Sequence, residues 1–254
     1  MGKISDELNS SRCTPKSGTK RKELEVDCQK CGLDALCKLL GYDEGEVNLP
    51  EGTLLRSQSI SRGETIFRTG DPFRSFFAVK SGSFKSLTLP QQGQEKVVGF
   101  HFPGEIVGTD GIAGNTYTCT ARALEASRVC ELRLEKLQYV ACSGTDLKDG
   151  IISILGDEIT FSHELKVSLI HQNSEQRMAA FLLNVSSRKS ERGMSGEEFR
   201  LSMSRSDIAS YLGLASETVS RILMKIQKLG MIDIRNKSVR ILDLEALQAL
   251  ANAG

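Results

Sequence analysis

Long apolar runs are missing from this 254-residue chain: no stretch approaches the roughly 18 residues that read as a membrane span, and the first residues hold no apolar core of a secretory leader. The expected compartment is therefore the cytoplasm, where structural disulfides are rare. Its three histidines, His101, His163 and His171, are scattered, and no Ser-His-Asp set, carboxylate pair, nucleotide-cradling glycine loop or flavin motif stands out. An enzyme is not the expected class. A formal net charge of only +1 supplies no global attraction to nucleic acid. What remains to be explained is a set of seven cysteines in a chain with no reason to form disulfides.

The stretch around which the chain is organised is residues 204–228, SRSDIASYLGLASETVSRILMKIQK. It reads as two short helices about a tight turn: Ala209 lets the second helix cross closely, Gly213 accepts the positive φ of the turn, and Val219 and Ile222 fall on the buried side. Glu217, Ser220 and Arg221 are left together on the opposite face, because i, i+3 and i+4 align on a helix. An arginine fork matches guanine O6 and N7, a glutamate accepts from cytosine N4, and a serine hydroxyl serves either role. The bland alternative is a surface ion pair of Glu217 with Arg221. From residue 188 to 240 the chain has eleven Lys or Arg against six Asp or Glu, a local excess suited to phosphate neutralisation. This length accommodates about two domains.

Residues 1–26 read as a flexible tail, rich in Ser, Lys and Arg, with Cys13 uninvolved. Next, DCQKCGLDALCK places Cys28, Cys31 and Cys37 at C-x2-C-x5-C spacing, close enough to fold round one centre. Soft thiolates select zinc, copper(I) or an iron-sulfur cluster, and four are the usual number. The missing ligand has to come from Cys119, Cys130 or Cys142. Cys130 alternates with Leu132 and Leu134 in VCELRL and is expected to point inward from a strand.

Between about residues 47 and 137 the pattern is of short β runs punctuated by Gly63, Gly70, Gly82, Gly93 and Gly104, which reads as an antiparallel jelly roll. A long helix is expected over 146–172. Ile154, Phe161 and Ser168 recur there at intervals of seven, as on a seam that pairs with its twin. Glu164 either meets its own copy near a two-fold axis, where like charges repel and dimerisation becomes switchable, or points to solvent. A helix opened by Asn173 follows, with Met178, Phe181, Leu182 and Val185 as its apolar stripe. Beyond residue 228, MIDIRNKSVRIL reads as a hairpin turning at Asn236 and Lys237, a wing beside the helix-turn-helix. A last helix runs through Leu244, Leu247 and Leu250. The architecture is α+β: flexible tail 1–26, cysteine loop plus double-stranded β-helix (jelly-roll) sensor domain 27–145, long dimerisation helix 146–173, and winged helix-turn-helix DNA-binding domain 174–254.

Taken in that order, these parts resemble the catabolite activator protein superfamily, and within it the fumarate and nitrate reduction (FNR) type, over about residues 27 to 250. The E-x-x-S-R of Glu217, Ser220 and Arg221 is the FNR recognition signature, whereas the cyclic-AMP branch carries glycine in place of Ser220. The cysteine loop is the family's cluster loop, and its fourth ligand falls at Cys130. The resemblance implies a 4Fe-4S cluster that favours the homodimer without oxygen, double-stranded palindromes with TTGAT-like half-sites, and action on RNA polymerase, for which residues 90–96 are a candidate contact. Two recognition helices would then lie about 34 Å apart. Cyclic nucleotide is not expected. That branch places glutamate and then arginine in its phosphate pocket, whereas IVGTDGIAGNTYTCTARA has Thr109 after Gly108 and no arginine before Thr118. Two positions depart from the family pattern: Ala215 replaces the Ser or Thr that caps the recognition helix, a cap worth about 1 kcal/mol unless Ser216 substitutes, and Gly32 stands where Ser is common. Two other readings compete, a structural zinc at the same thiolates in a DNA-binding regulator answering another signal, and a redox enzyme passing electrons through the cluster.

Overall fold

The structure is a computed structural model that describes residues 28–31, 34, 55–89, 93–133, 152, 155, 156, 159, 160, 162, 163, 167 and 170–253; for residues 28, 55 and 56 only the backbone is described. Among the described residues, eight strands follow the cysteine loop: β1 Leu55–Ile60, β2 Thr65–Phe67, β3 Ser75–Ser81, β4 Phe84–Thr88, β5 Lys96–His101, β6 Ile106–Val107, β7 Thr120–Ala123 and β8 Ser127–Arg133. They form two antiparallel four-stranded sheets, β1-β8-β3-β6 and β2-β7-β4-β5, which is the expected jelly roll. The five glycines read as turn markers all have positive φ. Alternation turns one face of each sheet inward. Phe77, Val79 and Val129 from the first sheet meet Phe84, Ala121 and Ala123 from the second, and Phe67 and Tyr117 stack between them with ring centroids 3.8 Å apart.

Every described residue from 152 to 171 is helical, in keeping with a long connecting helix. Helix α1, Ser174–Glu191, begins at Asn173, whose side chain accepts from the Glu175 and Gln176 backbones while Gln176 bonds back to the Asn173 N–H. This capping box satisfies orphan donors of the first turn. Met178, Phe181, Leu182 and Val185 are all buried, as the stripe predicted. There follow β9 Glu198–Arg200, α2 Arg205–Leu212, α3 Ser216–Lys228, β10 Ile232–Arg235, β11 Ser238–Ile241 and α4 Leu244–Asn252. The wing is a hairpin turning at Asn236, with φ of 58°, and β9 adds to it as a third strand absent from the sequence reading. Leu247 is fully buried in α4 as expected, but Leu244 is 49% exposed; Ala251 takes the next place inside. At the first turn of a short terminal helix, only the residues facing α1 are covered.

The outer face of the β4–β5 sheet is apolar where it meets the helices. Leu87, Val97, Phe100, Phe102 and Leu124 share one continuous core with Met178, Leu182, Ile208, Leu212, Val219 and Ile226. Phe100 lies 5.0 Å from Tyr211 and 6.1 Å from Phe181, ring centre to ring centre. Burying one such aromatic stabilises the contact by roughly 1.5–3 kcal/mol. At the rim, Lys85 of β4 pairs with Asp207 of α2, and Ser210 accepts from the Val97 N–H at 3.0 Å. Periodicity marked the apolar stripes of the helices without telling which surface covers them.

Candidate nucleic-acid interface and cysteine site

Helix α2 starts at Ser204, whose side chain accepts from the Asp207 N–H at 3.0 Å while Asp207 accepts from the Ser204 N–H at 2.9 Å. Asp207 therefore serves two roles, capping α2 and pairing with Lys85. Burial alone would raise its carboxyl, but the hydrogen bonds from Lys85 and Ser204 outweigh it and hold the group below its ordinary range. The helix ends at Gly213, φ 65° and ψ 39°, a left-handed cap that Cβ-bearing residues resist. The Leu214 N–H then bonds the Ala209 carbonyl at 2.9 Å and turns the chain into α3. Ala209, Val219 and Ile222 are buried, at 3%, 0% and 3% exposure, as the helix-turn-helix spacing requires.

On the far side of α3, Glu217 and Arg221 are exposed and Ser220 is half-buried. No hydrogen bond or ion pair among the described residues engages Glu217 or Arg221, so the surface-pair alternative is not realised. Ser220 donates to the Ser216 carbonyl at 3.1 Å, which points its hydroxyl back along the helix. The cap is indeed lost: Ala215 begins α3 without a side-chain bond, and Ser216 is already the first helical residue.

Two basic residues near this face escaped the sequence reading. Arg205, the first residue of α2, is half-buried with no partner among the described residues, and burial lowers its pKa. A lone cation beside a helix N-terminus is poorly placed unless an anion joins it. Lys228 projects from the exposed last turn of α3. Lys225, by contrast, is committed to Glu175 at 2.6 and 2.7 Å. Of the signals in the sequence, only the local basic excess could have hinted at Arg205.

The cysteine loop enters as a 3-10 turn, Cys28–Lys30. Cys31, Cys119 and Cys130 are thiols rather than half-cystines, with Cys31 and Cys130 half-buried. Cys37, Cys142 and the side chain of Cys28 lie outside what is described, and the described residues alone assemble no metal-holding group. Cys119 is only 7% exposed and packs in the aromatic interior of the roll, whereas Cys130 lies outside that cluster. Cys130 shares its strand face with Leu132 as expected, but that face is not the interior of the roll. Val129 points there, whereas Cys130 is flanked by Ser57 and Ala78, and Ala78 in turn by Ile106. Both faces of β8 are covered, so alternation with leucine could not tell which was the inside.

Two residues before Ile106, Gly104 meets the cysteine loop: a Cβ there would lie 2.8 Å from the Lys30 carbonyl oxygen. The loop is thus seated against the turn leading into the sheet that carries Cys130, on thiols suited to a soft metal. The chain's donors fit an iron-sulfur cluster, and equally a thiolate-bound zinc.

The seam residues Ile154, Phe161, Glu164 and Ser168 all lie outside the described residues. Among those described, Ile152, Ile159, Val167 and Ile170 are 64%, 56%, 58% and 74% exposed and fall on one stripe of the connecting helix.

The Crp-like helix-turn-helix domain model matches residues 176–250, and the cyclic nucleotide-binding domain model matches residues 57–141. Electron transport regulator A of Shewanella oneidensis is 37% identical over 245 residues, 96% of either chain. The fumarate and nitrate reduction regulatory protein of Escherichia coli is 38% identical over 226 residues, 89% of this chain and 90% of that one. The structure of FixK2 from Bradyrhizobium japonicum superposes with a TM-score of 0.72 at 24% identity, covering 80% of this chain and all of that one, a likeness of fold. These relatives are regulators rather than enzymes, and the chain is a transcription regulator with a DNA-binding helix-turn-helix. By fold, recognition helix and identity along nearly its whole length, this chain belongs to the CRP/FNR family of transcription regulators, as an FNR-type member.

Proposed function

We propose that this regulator senses oxygen through a 4Fe-4S cluster held by Cys28, Cys31, Cys37 and Cys130, and that the holoprotein binds TTGAT-like palindromes as a cytoplasmic homodimer to activate or repress RNA polymerase. The observation that carries this reading is the cysteine loop seated at Gly104, beside the sheet in which Cys130 is a half-buried thiol. When bound, the cluster supplies an oxygen-labile cross-link between the N-terminal loop and the roll. The chain itself does the rest. Glu217, Ser220 and Arg221 present donors and acceptors to base edges, while Arg205 and Lys228 meet phosphates. Ile152, Ile159, Val167 and Ile170 form the stripe that a second copy covers, since four large apolar side chains exposed in one line favour burial. The division into tail, sensor domain, dimerisation helix and DNA-binding domain at 1–26, 27–145, 146–173 and 174–254 belongs to the same reading.

A cyclic nucleotide has no part in it. Where a phosphate would need a cation, the Asp110 carboxylate accepts from the Thr118 N–H and hydroxyl at 2.7 and 2.8 Å and from the Cys119 N–H at 3.0 Å. The stacked Phe67 and Tyr117 crowd Gly108, where a Cβ would lie 3.3 and 3.0 Å from their rings. An anionic ligand would meet a negative charge and a packed interior.

Anaerobic purification followed by an iron and sulfide count, with a band-shift assay before and after air, tests the proposal. It expects a brown protein that retards an operator fragment anaerobically and loses both colour and binding in air. A colourless protein containing zinc or no metal, binding equally well in air, would overturn it and leave a regulator answering another signal.

A further inference from the structure

The connecting helix is not the only route from the cysteines to the recognition helix. Lys30, the residue immediately before Cys31, touches the DNA-binding side of the molecule at the C-terminal end of α1. Arg192, the cap of that helix, donates from Nη1 to the Lys30 carbonyl at 3.2 Å. The Lys30 side chain lies across Gly193 so closely that a Cβ there would fall 2.2 Å from Nζ and 3.0 Å from Cδ. On the opposite side, Gly104 packs against both, its missing Cβ 2.8 Å from the Lys30 oxygen and 2.9 Å from Arg192 Cδ. Both glycines are left-handed, with φ of 90° and 74°, so the close approach and the backbone exclude side chains together.

This contact sits where α1 is fastened to the roll. Arg188 pairs with Glu105 and donates to the Phe100 carbonyl at 2.6 Å, and Glu105 also accepts from the Phe102 N–H at 2.9 Å. The Phe102 ring lies under Arg188 and Lys189, at 4.7 and 5.2 Å. A loop inserted at this point bears on the helix that carries the whole helix-turn-helix.

We infer that the loop bearing Cys28 and Cys31 acts on the DNA-binding domain directly, through Lys30 clamped between Gly104, Arg192 and Gly193, so that fixing the loop seats the end of α1 on the roll independently of dimerisation. What fixes the loop rests on the cluster reading above; the contact itself does not.

Hydrogen exchange of the 188–193 amides in the full-length anaerobic protein tests the inference, with the monomer–dimer ratio measured alongside. Arg192→Ala and Lys30→Ala are each expected to speed exchange there about tenfold and weaken operator binding several-fold at an unchanged dimer fraction. The double variant is expected to fall short of the product of the two single effects, because Arg192 holds the Lys30 carbonyl while the Lys30 side chain lies on Gly193, and losing either contact loosens the other. Cys31→Ser, which releases the loop, is expected to speed the same amides. Independent, multiplying effects of Arg192→Ala and Lys30→Ala would overturn the inference, as would unchanged exchange in Cys31→Ser of a protein whose parent contains iron. The iron count keeps the two claims apart. An iron-free protein in which Arg192 and Lys30 remain coupled retains the clamp and loses the cluster, whereas an iron-containing protein with uncoupled effects retains the cluster and loses the clamp.

Discussion

Arg221 and Arg205 are both cations of the helix-turn-helix, yet their surroundings differ and suit them to different work. Arg221 is exposed on the outer side of α3 beside Glu217, free of intramolecular partners among the described residues. Substituting it with alanine should cost about 1–3 kcal/mol on the preferred half-site and relax discrimination at the guanine. Arg205, half-buried at the start of α2, suits a phosphate instead. Arg205→Ala should weaken binding to all sequences alike and lower the slope of log affinity against log salt by about 1. Band shifts on operator and scrambled fragments over a salt series separate the two; a sequence preference that survives Arg221→Ala removes that residue from the reading set. The place of Arg221 on an exposed face was legible from spacing, since i, i+3 and i+4 define a helix face. The isolation of Arg205 was not, because an unpartnered charge is a property of the packed structure.

At the scale of elements, α3 is held by its apolar face alone at the N-terminal end, since Ala215 offers no cap. Ala215→Ser should stabilise the protein by about 1 kcal/mol in denaturant unfolding, and a change near zero would mean that solvent already satisfies the first turn. The wing and the β-roll strands were legible from alternation and glycine placement. Strand β9 was not: three residues pairing only along β11 carry no periodic signal of their own. The orientation of β8 was equally closed to the sequence, because Cys130 and Val129 lie on opposite faces that are both covered. The connecting helix presents a testable stripe. Ile159→Asp should leave a folded monomer in sedimentation experiments, as a carboxylate replaces an apolar contact and faces its own copy; an intact dimer would move the seam elsewhere.

Across the whole molecule, the β-roll and the helix-turn-helix share a core, and a titratable group lies next to it. His101 retains some exposed surface, but burial, opposed in part by Glu105 and aided by Arg188, pushes its imidazole down to about 4, with Ser86 hydrogen-bonded to Nε2 at 2.8 Å. An unfolded histidine titrates near 6.5, so between those values the unfolded chain takes up a proton that the folded one refuses. Stability should therefore fall as pH is lowered through that window, by a ceiling of about 3 kcal/mol. Denaturant unfolding at about pH 7.5 and about pH 5 should reveal the slope, and His101→Gln should flatten it; an unchanged slope assigns the effect to other groups. Asp207, depressed by Lys85 and Ser204, adds a loss only below the ordinary carboxylate range.

By itself, the sequence determined the kinds of element and the side chains on offer: glycine and apolar spacing specify a jelly roll, helices and a winged helix-turn-helix, and residue identity supplies thiols and an exposed polar face on α3. These are local properties, set by period and by side-chain type. Only the tertiary structure decided that Phe100 meets Tyr211 across the two domains, that Cys119 is sealed in the roll while Cys130 is not, and that Lys30 rests on Arg192 and Gly193. Such pairings join residues far apart along the chain, and no local pattern records which of several amphipathic faces covers which.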